Sequence, residues 1–225
     1  MADDSCDPPD AALAEPLPHR VACVGASVTF GLGLTNRRET CYPAVLQTLL
    51  DSRDGPGRWR VRNFGYSGAT ASRGGNEPYW RTPSFTAATR FRPQTTVVLL
   101  GTNDAQFANA ASRETLAADL EALVGHFRSV DPASPGRVLL SDPPPAFPPV
   151  PEIDFDALVT VVRPTIRAVA ERAGTPLIDY LTPLAGTGEA FPDGLHPTAE
   201  VAAQIAAITL AALTPAVEPT PPTEG

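Results

Sequence analysis

Residues 95–104 read Thr-Thr-Val-Val-Leu-Leu-Gly-Thr-Asn-Asp. The first six are rich in β-branched and apolar types, a strand signal, and a loop begins near Leu100. Four more runs of this kind surround it: RVACVG (20–25) and WRVRNF (59–64) before, RVLLS (137–141) and TPLIDY (175–180) after. Helical patterns fill the gaps. Pro43 to Leu50 begins with a first-turn proline, and Ser112 to Val130 carries Leu116, Leu120, Leu123, Phe127 and Val130 on one stripe. Asp154 to Ala173 repeats Phe155, Leu158, Val162, Ile166 and Val169 at helical spacing, with a kink expected at Pro164 and an end at Gly174. The last pattern, Thr198 to Leu213, is Ala-rich with Val201, Ile205 and Ile208 facing inward. Strands alternating with helices predict a parallel sheet with right-handed crossovers, covered on both faces. The expected fold class is therefore α/β, a three-layer α/β/α sandwich. Ligands of such sheets bind where the βα loops gather, at the carboxyl ends of the strands.

Composition bounds what the chain is built to meet. Of its 225 residues 26 are Pro and none is Lys, and 17 Arg stand against 25 acids for a formal charge of −8. A Pro share more than twice the usual roughly 5% is concentrated: residues 1–18 hold four, 143–151 six and 215–225 four. The sequence thus predicts an acidic, Pro-rich tail over 1–18, one domain over 19–214 and a second Pro-rich tail over 215–225. With 43% hydrophobic residues the middle can build a core. Its acids and arginines nearly balance and form no basic cluster in the sequence, so neither nucleic acid nor an anionic membrane is an expected partner. The oligomeric state is left open. No run approaches a bilayer span and the start lacks a signal-peptide pattern, which predicts a cytoplasmic protein. Cys6, Cys23 and Cys41 have no CxxC spacing and read as free thiols, with no metal expected.

The loop after the first strand is Gly25-Ala26-Ser27-Val28-Thr29-Phe30-Gly31. GxxxxGK[ST] fails because there is no Lys, GxGxxG has no match in register, and GxSxG fails because position 29 is Thr. What remains is a Ser at a strand end, for which capping a helix or satisfying a turn is the favoured reading when it is taken alone. Gly65, in Asn63-Phe64-Gly65-Tyr66-Ser67-Gly68, could supply a positive φ, and Asn103 in Gly101-Thr102-Asn103-Asp104 could cap a helix. The chemical alternative is that a Gly N–H and an Asn amide converge on a developing oxyanion. Asp193-Gly194-Leu195-His196-Pro197 supplies a carboxylate and an imidazole three residues apart in a turn. There Asp193 can hold Nδ1–H and leave Nε2 of His196 as a base.

These four segments in this order resemble the SGNH (GDSL) hydrolases, esterases and acyl hydrolases of flavodoxin-like fold with a five-stranded parallel sheet. The resemblance implies Ser27 as nucleophile, His196 as general base and then acid, and Asp193 as the residue orienting His196. It implies an oxyanion hole made by the Ser27 N–H, the Gly65 N–H and the Asn103 side chain, and it requires no metal or organic cofactor. Ala26 stands where the family usually has Asp, a departure that bears on how the nucleophile turn is braced.

Substrate signals are fewer. Tyr79, Trp80 and Arg81 lie near the rim, where Trp80 could stack on a sugar and Arg81 hold a carboxylate or hydroxyls, or the aromatics could simply plug the sheet end. The segment is similar to one in small carbohydrate O-acetylesterases of that family. Asp104 beside Asn103, and Phe147 within the Pro-rich loop, are further candidates for substrate contact. The expected activity is hydrolysis of a short acyl ester, an O-acetyl group on a sugar or small metabolite. Acyl transfer or thioester cleavage by the same triad is the alternative, and a non-catalytic binding module is the third reading.

Overall fold

The computed structural model describes residues 17–213. The expected tails therefore lie outside the described residues, apart from Leu17 and Pro18. Five strands form where the apolar runs stand: β1 (His19–Gly25), β2 (Trp59–Gly65), β3 (Thr95–Leu99), β4 (Arg137–Asp142) and β5 (Leu177–Asp179). All neighbours pair in parallel in the order β2-β1-β3-β4-β5. That is the flavodoxin-like order, whose direction of winding reverses between β1 and β3 and opens a crevice at their carboxyl ends.

Side chains alternate along each strand into two cores. Ala22, Val24, Val98, Val138 and Leu140 face one side, Cys23, Val97, Leu99 and Leu139 the other. On the second face lie α2 (Tyr42–Asp54), opened by Pro43, and α6 (Ala199–Leu213), which bury Leu46 and Leu50 against Val201 and Ile205. On the first lie α3 (Pro83–Phe91), α4 (Leu116–Ser129) and α5 (Arg163–Arg172), contributing Ala88, Leu120, Leu123, Phe127, Ile166 and Val169. A four-residue helix, α1 (Ser27–Phe30), follows β1 directly.

Three local features depart from the sequence expectation. The helix expected from Ser112 is 3₁₀ over Phe107–Thr115 and turns α only at Leu116. The helix expected over Asp154 to Ala173 widens into a π turn at Leu158–Val162, where the Arg163 N–H reaches back to the Leu158 carbonyl. Pro164 has no N–H to give and its ring crowds the preceding turn, so the chain gains a residue per turn there instead of kinking at the ring. α3 has no counterpart among the expected helices. It begins with Thr82, whose hydroxyl accepts from the Phe85 N–H, followed by Pro83.

The π turn sends Arg163 inward. Its guanidinium donates to Asp142, to the Pro143 carbonyl (2.6 Å) and to the Pro144 carbonyl (2.9 Å), while Arg167 Nε adds a bond to Asp142 (2.9 Å). Asp142 is fully buried and needs these partners. The Pro-rich segment after β4 is thereby fastened at its root.

Candidate active site

Ser27 opens α1 at the carboxyl end of β1, beside the crevice between β1 and β3. Its turn is held largely by backbone. Phe30 N–H bonds the Ala26 carbonyl (2.9 Å), and Gly31, at φ 88°, returns its N–H to the Ser27 carbonyl (2.9 Å). Asn63, which the sequence did not single out, braces the far end. Its amide donates to the Thr29 carbonyl (2.6 Å), and its Oδ1 accepts the Gly65 N–H (2.8 Å). The support expected from an acid at position 26 thus comes across from β2, and Ala26 packs in the core.

His196 Nε2 lies 2.8 Å from Ser27 Oγ, and its Nδ1 lies 2.6 Å from Asp193 Oδ2. The other carboxylate oxygen, Oδ1, accepts the His196 and Leu195 backbone N–H groups at 2.7 and 3.0 Å. Burial alone raises the Asp193 carboxyl, but the hydrogen bonds from the His196 ring, the His196 N–H and the Leu195 N–H outweigh it and hold the group at about 2. An ionised Asp193 fixes the proton on Nδ1, leaving Nε2 as the lone-pair nitrogen facing the hydroxyl. Gly194 makes the turn possible. It sits at φ 80°, and a Cβ on it would lie 2.2 Å from the Phe147 carbonyl. The Phe147 N–H in turn donates to the Gly194 carbonyl (2.8 Å), so the Pro-rich loop braces the turn that carries His196.

The cleft over Ser27 encloses about 200 Å³, lined by Val28, Leu32, Ser67, Gly68, Asn103 and Pro145 among others. Gly65 is not part of that lining. It is buried, its N–H is taken by Asn63, and a Cβ there would lie 2.2 Å from the Phe30 N. Its missing side chain lets α1 approach β2, and the expected oxyanion contact from Gly65 is not what the structure displays. Gly68, three residues on at φ 84°, reaches the cleft instead, and its N–H has no partner among the described residues. The Ser67-Gly68 step at the loop apex was the signal in the sequence that pointed there.

Asn103 does face the cleft. One N–H of its amide donates to the Ala69 carbonyl (2.9 Å), and its Oδ1 accepts from Gln106 Nε2 (3.1 Å). That pairing leaves the second amide N–H without a partner among the described residues. Gln106 is a cleft residue the sequence did not reveal. Replacing it by Leu frees the Asn103 amide to rotate, and kcat is expected to fall toward the 10²-fold loss typical of one missing oxyanion donor, with KM little changed. Steady-state kinetics decide: a KM effect at constant kcat would make Gln106 a substrate contact instead.

The remaining candidates lie away from Ser27. Tyr79 is fully buried and donates its hydroxyl to the Phe64 carbonyl (2.8 Å). Trp80 packs on Phe85 and His126, and its indole N–H bonds the Ala71 carbonyl (3.2 Å), so the aromatics plug the sheet end. Arg81 is exposed outside the cleft lining. Asp104 is fully buried, accepting the Ala71 and Ser72 N–H groups at 2.9 Å each, and it ties the second loop to the third rather than meeting a ligand. Burial raises its carboxyl pKa against those bonds. Phe147 stacks on Phe191 at 5.2 Å, behind the cleft, while Pro144 and Pro145 of its loop form part of the wall. An apolar cavity of about 450 Å³ lies beyond Pro145, but neither Ser27 nor His196 borders it. Among the described residues no three His, Cys, Asp or Glu side chains gather as a metal site requires, and no helix is long and apolar enough to cross a membrane.

The chain is similar to several known proteins. An acetylxylan esterase of Xylanibacter ruminicola is 33% identical over 211 residues, covering 86% of this chain. Only 43% of that protein is matched, so the chain spans less than half the length of this curated relative. Two solved structures share the fold: a carbohydrate acetylesterase from Sinorhizobium meliloti (TM-score 0.63, 22% identity, 87% of this chain and 100% of that one) and the aryl esterase of M. smegmatis (TM-score 0.64, 18% identity, 86% and 97%). Residues 23–204, which run from within β1 into α6 and include the whole crevice, match one family of sequences throughout. With both the match and the fold in agreement, the chain belongs to the GDSL-like lipase/acylhydrolase family.

Proposed function

We propose that the protein is a serine carboxylic-ester hydrolase that removes a short acyl group, an O-acetyl ester on a sugar, through an acyl-enzyme on Ser27. The observation that carries this reading is the continuous relay Asp193 Oδ2 to His196 Nδ1 and His196 Nε2 to Ser27 Oγ, at 2.6 and 2.8 Å. Ser27 Oγ attacks the ester carbonyl carbon as its proton passes to Nε2. The carbonyl oxygen becomes an oxyanion facing three donors: the Ser27 N–H, the Gly68 N–H and the Asn103 amide. When the C–O bond breaks, Nε2 returns the proton to the departing alkoxide. Water then attacks the acyl-enzyme by the same route, with His196 taking its proton and giving it back to Ser27.

The cleft size supports a small acyl group. About 200 Å³ is below the usual 300–1,000 Å³ of sites for drug-sized ligands, and Pro144 and Pro145 make one wall stiff. The names of the relatives, acetylxylan esterase and carbohydrate acetylesterase, support a sugar as the alcohol. Turnover of p-nitrophenyl esters is expected to be highest for acetate and to fall tenfold or more by the octanoate. A kcat/KM rising with chain length would replace the acetyl reading by a lipase-like one. Free acetate as the sole acyl product, with alcohols present, separates hydrolysis from transfer.

A further inference from the structure

Eight of the 17 arginines meet a carboxylate among the described residues. Arg53, Arg73, Arg92, Arg113, Arg163, Arg167 and Arg172 each meet a carboxylate. Beside the free edge of β2 several of the others gather. A groove of about 720 Å³ runs between β2 and α3, and Arg20, Arg60, Arg62 and Arg90 line it. Arg20 is partly neutralised by Asp131 at 3.9 Å. Arg60, Arg62 and Arg90 are exposed and have no acidic partner among the described residues. Three unpaired cations in one groove repel one another and favour an anionic occupant.

The groove floor narrows the kind of anion. Phe64 and Phe91, 5.4 Å apart, form an apolar base, with the Arg62 guanidinium 5.6 Å from the Phe91 ring. Arg60, Arg62 and Phe64 share one face of β2, with the Cα atoms of the two arginines about 7 Å apart along the strand. An apolar base with separated cations suits a chain that presents C–H faces and widely spaced carboxylates. A dense polyanion such as nucleic acid would meet a protein whose overall formal charge is −8. The groove and the cleft share no lining residue, but one loop joins them. Phe64 leads into the Tyr66–Ala69 loop whose apex lines the Ser27 cleft, and the Ser84 hydroxyl at the start of α3 donates to the Gly65 carbonyl (3.3 Å).

Building on the ester-hydrolase reading above, we propose that the substrate is an O-acetylated oligosaccharide bearing uronate carboxylates. Its acetyl group enters the Ser27 cleft, and its chain runs over Ser67 and Gly68 into the β2–α3 groove, where Arg60, Arg62 and Arg90 hold the carboxylates.

The test uses a matched pair of O-acetylated xylo-oligosaccharides, one with uronate branches and one neutral. At low salt the full chain is expected to show a KM roughly tenfold lower for the uronate-bearing member, as three exposed ion pairs of modest strength would give. The preference is expected to vanish in Arg60→Gln/Arg62→Gln/Arg90→Gln and in about 1 M salt, where the Debye length is about 3 Å. Arginines at a sheet edge also discourage edge-to-edge pairing, and the triple variant could self-associate for that reason alone. Arg62→Glu keeps a charge at the edge and is expected to weaken the preference by itself. Equal KM values for the two substrates in the unaltered protein, or a preference that survives both sets of substitutions, would overturn the proposal. p-Nitrophenyl acetate is too small to reach the groove, so its turnover reports the Ser27 centre alone. A protein that cleaves it without charge preference loses only the groove, whereas one that cleaves no ester loses both readings.

Discussion

Ser27→Ala is expected to lower kcat for p-nitrophenyl acetate by on the order of 10⁶, leaving only what the oxyanion donors and binding supply. The substitution removes one oxygen from a side chain whose polar contact is His196 Nε2 at 2.8 Å, so the fold has little reason to respond. Circular dichroism and thermal unfolding should match the unaltered protein. The cleft lining contains two further hydroxyl residues, Ser67 and Thr102, which makes the experiment discriminating. Ser67 is not within hydrogen-bonding distance of His196 and has no base to take its proton. If Ser27→Ala kept turnover within tenfold, the nucleophile would have to be Ser67, Thr102 or water, and the relay from Asp193 through His196 would be serving something else. A fluorophosphonate should phosphonylate Ser27, releasing fluoride, and should fail to label the variant.

The residues that this experiment addresses were legible in the sequence for a physical reason. Ser27, Asn103, Asp193 and His196 lie in loops that follow strands or precede a helix, and in a parallel α/β sheet such loops gather at one edge of the layers. Their chemistry alone left ordinary alternatives open, and it was the four segments in order, through the resemblance to a family, that singled them out. The strand order was a different matter. Pairing β1 with both β2 and β3 joins residues some forty to seventy positions apart, which no local pattern encodes, and the resemblance to a family supplied it. Gly65 was misplaced because Asn63-Phe64-Gly65 and Ser67-Gly68 look alike in a string of letters. The Asn63 side chain decides between them by occupying the Gly65 N–H. Trp80 seemed a rim residue because α3 went unrecognised, although Thr82-Pro83 is a readable helix start. Once that helix forms, Phe85 lies under Trp80 at 5.2 Å and the indole packs inward. The groove at β2 escaped for a related reason. Arg20, Arg60, Arg62 and Arg90 come from three separate segments, so no basic cluster exists until β1, β2 and α3 are assembled.

Asp193→Asn is expected to lower kcat by about 10⁴ with KM little changed. Asp193 does not touch the reacting ester. Its carboxylate holds Nδ1–H of His196 at 2.6 Å and, through its other oxygen, the His196 and Leu195 N–H groups. An amide can keep the backbone bonds by presenting its carbonyl oxygen, but its NH₂ then faces Nδ1 as a donor. The imidazole proton is driven to Nε2, the nitrogen that must accept from Ser27, and the base is lost while the turn persists. The stability of the same variant carries a second signature. The Asp193 carboxyl is held at about 2 in the folded protein against about 3.9 in an unfolded chain. A depressed carboxyl contributes stability that is present above the unfolded value and is lost as pH falls through the folded one. The unaltered protein should therefore lose this contribution between about pH 4 and pH 2, and Asp193→Asn should lack that part of the slope. Urea unfolding across this range measures it. Equal slopes in the two proteins would mean that Asp193 ionises in the folded state as it does in the unfolded chain, and the orienting role would fall with it. A kcat loss under tenfold would mean that His196 finds its tautomer without Asp193, leaving the Gly194–Phe147 clasp as what holds the ring against Ser27.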